Sequence, residues 1–375
     1  MVKGQLKNPD FILLAAAATA MVLGILILSS SSALLSQLKY GDSYYLIRHQ
    51  LVFGILPGLA AAIIAYKMPL GLLRKSAPFL LLLSIVLLVL IFVPGIGFRA
   101  GGAQRWIHLG FATIQPSEVL KIVFIIYLAS WLSRRTADIA NRKNLKKEFG
   151  NTLAAFLAVV GVIGFLLLKQ PDLSTFGIVA LTAFAMYFLA GTPLKHTFIM
   201  VLSGAVLLAG LVYFEPYRFE RLSSWLSPES DPMGKSFQSS QALMIAGSGG
   251  VFGQGFGSSS SKYALLPELI GDSVFAPYAQ ELGFAGGVML VVIFAVFAWR
   301  GFLIARKSSG KFEYLVAFGI TFWIVLQAMV NISSTIGLIP LSGIPLPFIS
   351  YGGTAIAIEL AAVGFLLNIS RQSRF

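Results

Sequence analysis

Polar side chains along this chain interrupt the apolar ones in blocks and do not alternate with them. Long uncharged runs centre near residues 11–34, 48–66, 77–94, 116–132, 151–168, 173–190, 197–214, 273–299, 314–333 and 351–370, separated by short charged or Gly/Pro-rich segments. A bilayer core takes about 20 consecutive apolar residues per helix, so the pattern predicts about ten transmembrane helices. The runs are too long and uniform for barrel strands, and in lipid a helix satisfies its own backbone N–H and C=O groups. The expectation is an all-α polytopic membrane protein, one domain over residues 1–375.

Composition supports this and adds an orientation. With 57% hydrophobic and 11% charged residues, there is too little polar surface to cover a soluble globule of this length. Most of the 28 Lys and Arg fall in the N-terminal segment, around 67–75, 134–147, 195 and 300–311, and at the C-terminus. The positive-inside rule then puts both termini in the cytoplasm. The net charge of +13 is mainly this topology signal, with weak attraction to anionic lipid of the bilayer; no nucleic-acid module is visible. The absence of cysteine removes disulfides, thiol catalysis and thiolate metal sites together. The first apolar run lacks a small-residue cleavage site and reads as a retained helix.

The acids sort oppositely. Asp42, Glu118, Asp172, Glu268 and Asp272, with the acids of 215–231, fall outside or at outer helix mouths, so chemistry is expected on the outer face. There the connections are residues 95–115, a long extracellular loop of about 215–272 between helices 7 and 8, and a Gly/Pro-rich one over 334–350. Connections longer than about 15 residues are usually functional or disordered; the aromatics, glycines and charges of the long loop argue for order.

Several motifs fail on inspection. "ESDPMGKS" mimics a phosphate-binding loop, but Glu229 stands where its first glycine belongs. "GSGGVFGQGFG" is no dinucleotide fingerprint, and its glycines suit tight turns. His49, His108 and His196 are scattered without metal-ligand spacing. Intramembrane polar residues say more, because burying them is costly. In "QPSEVLK", Pro116 suits the first helical position, and Glu118 and Lys121 lie three apart on one face, where they can pair. In "QPDLST", Pro171 opens a helix with Asp172 in its first turn, where an acid complements the helix dipole. Glu281 and Glu359, deeper in their helices, read as hydrogen-bonded packing residues. In "LLPELIGDSVFAPYAQELG", Asp272 either caps a helix or serves as a base at the headgroup level.

"AQRWIHLGFATIQPSEVLK", "QPDLST", "YRFERLSSWLSPESDPMGKSFQSSQALMIAGSGGVFGQGFG", "LLPELIGDSVFAPYAQELG" and "NISSTIGLIPLSGIPLPFISYGGT", in this order, resemble the SEDS family (shape, elongation, division and sporulation), whose members include FtsW, RodA and SpoVE. "YGDSYY" and "VPGIG" look more like the division branch. Gln104 departs from the Arg of many members, and Gly271 and Ser273 flank Asp272 where Thr and Phe are common. The resemblance implies a peptidoglycan glycosyltransferase that polymerises lipid II on the outer face of the cytoplasmic membrane, with Asp272 as catalytic base. It implies a pyrophosphate leaving group, for which Arg48, Arg105, Lys121, Arg218 and Arg221 are the outer cations, each with a plainer reading as an interface anchor. Glu118 and Glu268 join this candidate substrate-binding set. The resemblance also suggests a divalent cation, Mg²⁺ or Mn²⁺, though no metal motif is visible. It suggests a class B penicillin-binding protein, a transpeptidase, and other divisome or elongasome membrane proteins as partners. Two other classes remain open at this point: a lipid II flippase and a scaffold recruiting that transpeptidase.

Overall fold

The computed structural model describes residues 8–100, 103–108, 110, 113–140, 145–214, 219, 223–227, 237–258 and 270–372. Helix α1 (Phe11–Tyr40) starts where the Asp10 side chain accepts the Leu13 N–H and ends at Gly41, whose φ of 72° turns its N–H back to the Gln37 carbonyl. This is the capped start and left-handed glycine stop that helix termini favour. Helix α2 (Tyr45–Gln50) runs through a π turn (Leu51–Ile55) into α3 (Leu56–Lys67), and α4 (Leu70–Leu90) follows. Three short strands come next: β1 (Gly97–Ala100), β2 (Ala103–His108) and β3 (Thr113–Ile114), in an antiparallel sheet of order β1-β2-β3. Then come α5 (Pro116–Ala140), α6 (Leu145–Lys169), α7 (Leu173–Leu189), α8 (Leu194–Phe214), α9 (Phe237–Gly247), α10 (Phe275–Arg306), α11 (Lys311–Thr335) and α12 (Gly353–Gln372).

Eight helices among the described residues are long and apolar enough to cross a membrane, by length and composition. Two expected spans, 173–190 and 197–214, are the shorter apolar helices α7 and, over its described apolar part, Leu194–Val206. The 95–115 connection is a small sheet and not the plain loop expected in an all-α chain. Its start is pinned by Gln104, whose amide donates to the carbonyls of Ile91 (2.8 Å) and Gly97 (3.3 Å). Pro116 opens α5 as expected, whereas α7 begins only at Leu173, with Asp172 as its N-cap and Pro171 before it.

The helices divide into inner and outer. Within the apolar stretches, 83% of residues are buried in α5 and 67% in α11 and α12, against 28% in α4. The inner helices carry the buried polar residues Glu118, Lys121, Gln327, Asn331 and Glu359; α4 faces outward with Leu72, Phe79, Leu82 and Val86. Two irregular segments enter this bundle. Helix α10 breaks at Gly283 (φ 68°, ψ −168°), and residues 250–255 fill the break. Gln254 and Gly255 donate to the carbonyls of Gln280 and Glu281, while Phe284 and Ala285 donate to those of Gly250 and Val251. The second segment, residues 336–352 between α11 and α12, turns back into the protein so that Ile344 and Leu346 to Ser350 are buried. It passes so close to α1 that a Cβ on Gly24 would lie 2.6 Å from the Ile349 Cα.

Candidate active site

A buried stretch without helix or strand must find partners for its backbone groups elsewhere, and residues 342–350 find them in side chains. Asn331 Nδ2 donates to the Ile344 carbonyl (2.7 Å) and Gln327 Nε2 to the Pro345 carbonyl (2.9 Å). The Glu359 carboxylate accepts the Phe348 N–H (2.7 Å), and the Ser350 hydroxyl accepts the Leu346 N–H (2.7 Å). Phe348 holds a φ of +65°, unusual for a bulky residue. Such conformations persist where the surroundings over-determine them, as the Glu359 contact and the packing of Phe348 on Phe297 do here.

Asp272 sits in the turn leading into α10, and this segment grips that turn. Three successive carbonyls are taken: Ile270 by the Tyr351 N–H (2.8 Å), Gly271 by the Ser350 hydroxyl (2.6 Å) and Asp272 by Asn331 Nδ2 (2.6 Å). The half-buried Asp272 carboxylate faces Gly343, where a Cβ would lie 3.4 Å from Oδ2. Val274 stands at the N-cap position of α10, two residues beyond Asp272.

Glu118 and Lys121 lie behind this segment. Both are buried and form an ion pair at 2.7 Å. Lys121 also donates to Gln327 Oε1 (2.8 Å), which accepts the Trp323 indole N–H (2.8 Å), and its ammonium sits over the Trp323 ring. The pair therefore reaches the site through Gln327 and the Pro345 carbonyl. Arg48 is 65% exposed and pairs with Asp42. Arg105 on β2 donates to the Gln170 carbonyl (3.0 Å) and to that of Pro171, tying the sheet to the α6–α7 turn. Ser174, just beyond, donates to the Ser342 carbonyl. Arg218, Arg221 and Glu268 lie outside the described residues.

The sequence reading missed Gln50, His49, Asn331, Gln327 and Ser350. Gln50 is 2% exposed; its amide donates to the Ser350 carbonyl (3.4 Å) and accepts the Gly352 N–H (3.1 Å). Tyr351 hydrogen-bonds His49 Nδ1 (2.9 Å); burial, with Tyr40 and Tyr45 nearby, pushes its phenol well above the ordinary value, so it stays protonated. The available signal was amides inside apolar runs, which lipid would not tolerate unpaired. Among the described residues no group of three or more His, Cys, Asp or Glu assembles to hold a metal ion.

Comparisons with known proteins bear on the whole chain. The family FTSW_RODA_SPOVE, described as cell cycle protein, matches residues 10–375. Stage V sporulation protein E of Bacillus subtilis is 37% identical over 369 residues, covering 98% of both chains. A probable peptidoglycan glycosyltransferase FtsW of Nitrosococcus halophilus is 35% identical over 380 residues, covering 100% of this chain and 95% of the relative. Among solved structures, a chain described for the structural coordination of polymerization and crosslinking by a peptidoglycan synthase complex aligns with a TM-score of 0.78 at 26% identity, covering 97% of this chain and 98% of that one. The rod shape determining protein RodA of Thermus thermophilus aligns with a TM-score of 0.68 at 25% identity, covering 97% of each. A family match over nearly the full length, relatives more than a third identical end to end and a shared fold together make this chain a member of the FtsW/RodA/SpoVE family, the SEDS family that its motifs resemble.

Proposed function

We propose that this chain is a peptidoglycan glycosyltransferase, polymerising lipid II into β-1,4-linked glycan in cell division or cell-shape maintenance. The names of its relatives and its full-length likeness to a chain of a peptidoglycan synthase complex support that activity. In the reaction, the 4-hydroxyl of an acceptor GlcNAc attacks the anomeric carbon of the donor MurNAc. The new glycosidic bond forms with inversion as the bond to undecaprenyl pyrophosphate breaks, and the hydroxyl proton passes to the Asp272 carboxylate and then to water. A sugar hydroxyl is a poor nucleophile until a positioned base takes its proton, a contribution of about 10²–10⁴ in rate. The observation that carries the reading is the grip on three successive carbonyls around Asp272, beside Gly343, in the connections assigned to the outer face.

Among the described candidate cations, Arg48 is the one most open to a leaving pyrophosphate, and Arg suits bidentate phosphate contacts. Arg105 would act after exchanging a carbonyl contact, and Arg218 and Arg221 stay in the proposed set on sequence grounds, with Glu268. No step is routed through a metal. The protein works in the bacterial cytoplasmic membrane with both termini inside, beside a class B penicillin-binding protein that crosslinks the product.

Among the described residues, the break in α10 is the feature that favours a transporter, since broken helices commonly form transport sites. Here the chain's own residues 250–255 satisfy the break from both sides, which supports reading it as packing. The deciding experiment supplies lipid II to the purified protein in liposomes, alone and with the transpeptidase partner, and resolves polymer on a gel. Glycan strands from the wild type and about 10²–10⁴-fold slower polymerisation by Asp272→Asn are expected; polymer at the wild-type level from Asp272→Asn would sink the assignment of the base, and transbilayer movement of lipid II without polymer would favour the flippase.

A further inference from the structure

Catalysis by a base at Asp272 needs the carboxylate held within tenths of an ångström of the acceptor hydroxyl, and a residue in an irregular turn has no helix or strand to hold it. Asn331 lies one helical turn beyond Gln327 on α11 and is fully buried. Its amide nitrogen is shared between two main-chain carbonyls, those of Asp272 (2.6 Å) and Ile344 (2.7 Å). Two carbonyl acceptors require the NH₂ group at that position, so the amide's orientation follows from its partners. One side chain thus joins the turn that carries the carboxylate to the segment that passes in front of it, next to Gly343. Ser350 repeats the device one carbonyl earlier, its hydroxyl on Gly271.

We propose that Asn331, seconded by Ser350, is a positioning residue for the glycosyl transfer. It sets the distance between the Asp272 carboxylate and the rim at Gly343, and hence where an acceptor hydroxyl meets the base. Gln327 does not share this role. It holds the neighbouring Pro345 carbonyl and the Lys121 ammonium and makes no hydrogen bond to the Asp272 turn. A substrate contact is not involved, since Asn331 lies beneath the backbone on both sides. The inference rests on the reading of Asp272 as the base.

The test uses the full-length protein in liposomes with lipid II. Asn331→Ala removes both donors and is expected to lower kcat by about 10²-fold, the scale of an ångström's misplacement, with KM changed less than about threefold because no substrate group is lost. Ser350→Ala, a smaller change that serves if Asn331→Ala does not insert, is expected to lower kcat by about tenfold. Ser334→Ala is the control: it loses a contact to the same segment at Ser342 (3.2 Å) and a bond to the Asn331 carbonyl (2.9 Å) but leaves both donors of the Asn331 amide and the Asp272 turn in place, and should reduce thermal stability more than turnover. The decisive readout is the double variant. In the Asp272→Asn background, Asn331→Ala should cost no further turnover, since a residue acting through the base has nothing left to position. A further loss multiplying the first, a KM effect in place of a kcat effect, or turnover within about threefold of wild type for both Asn331→Ala and Ser350→Ala would overturn the inference. If Asp272→Asn itself polymerises normally, the base reading fails first, and the two failures are told apart by that variant alone.

Discussion

Asp10 and Asp272 each precede a helix, at opposite ends of the molecule, and the protein treats them in opposite ways. At Asp10 the side chain is consumed. It caps α1 through the Leu13 N–H (3.0 Å) and takes the Arg300 guanidinium at 3.0 and 2.5 Å, while its own N–H donates to Ser370. The carboxylate thereby ties α1 to α10, and the main-chain N–H adds the tie to α12. At Asp272 neighbouring residues hold the main chain at three successive carbonyls, its own and the two before it, and the N-cap position of α10 falls on Val274. A carboxylate with a structural task is gripped by its oxygens. At the proposed base, neighbouring residues grip the backbone as well, which fixes where the group that must react sits.

The comparison makes its strongest claim about replacements at the two sites. Asp272→Asn should leave melting in detergent close to wild type and lower polymerisation by about 10²–10⁴. Asp10→Ala should do the reverse, stranding the mostly buried Arg300 and costing about 3 kcal/mol, while turnover per folded molecule is kept. Melting curves and polymer gels on the same preparations check both. A large loss of melting temperature in Asp272→Asn, or of specific turnover in well-folded Asp10→Ala, would erase the distinction.

Glu118 and Lys121 combine the two styles. The ion pair is buried as completely as Asp10, yet through Gln327 it supports the Pro345 carbonyl in the segment around the site. Lys121→Met leaves Glu118 as an uncompensated buried charge and should cost about 3 kcal/mol. Exchanging the two, Glu118→Lys with Lys121→Glu, should recover much of that stability but little activity. A glutamate at 121 repels Gln327 Oε1, so the amide must turn its NH₂ group toward it and release Pro345. Full activity from the exchanged pair would return it to simple helix packing.

How much of this was legible in the chain follows from what kind of signal each part leaves. Apolar runs report spans directly, so most of the helices lie near their expected positions, and "QPSEVLK" announced both the Pro116 start and the Glu118–Lys121 pair. The 95–115 sheet is made of short strands whose pairing depends on contacts such as Gln104 to Ile91, which leave no periodicity to read. The break at Gly283 sits inside an unbroken apolar pattern and exists because a distant segment fills it. Asp272 was singled out by its motif, but the grip on it comes from α11 and from residues 350–351, about 60 to 80 positions away. Asn331 and Gln327 were visible only as amides in an oily run.

Asp172 gives the smallest expected effect and the sharpest use of the comparison, because it lies between the two patterns. It is the N-cap of α7, accepting the Thr175 N–H at 3.4 Å, a long bond, while its other oxygen, Oδ2, is buried with no hydrogen-bond partner among the described residues. Two residues on, Ser174 reaches the Ser342 carbonyl, one position before Gly343. If Asp172 is structural in the manner of Asp10, Asp172→Asn should be almost silent, since Asn caps a helix about as well as Asp, while Asp172→Ala should cost about 1 kcal/mol. Polymerisation should then follow stability in both variants. If well-folded Asp172→Asn instead loses polymerisation, its charge serves the reaction, and Asp172 must be grouped with Asp272, as a second acid kept near Gly343.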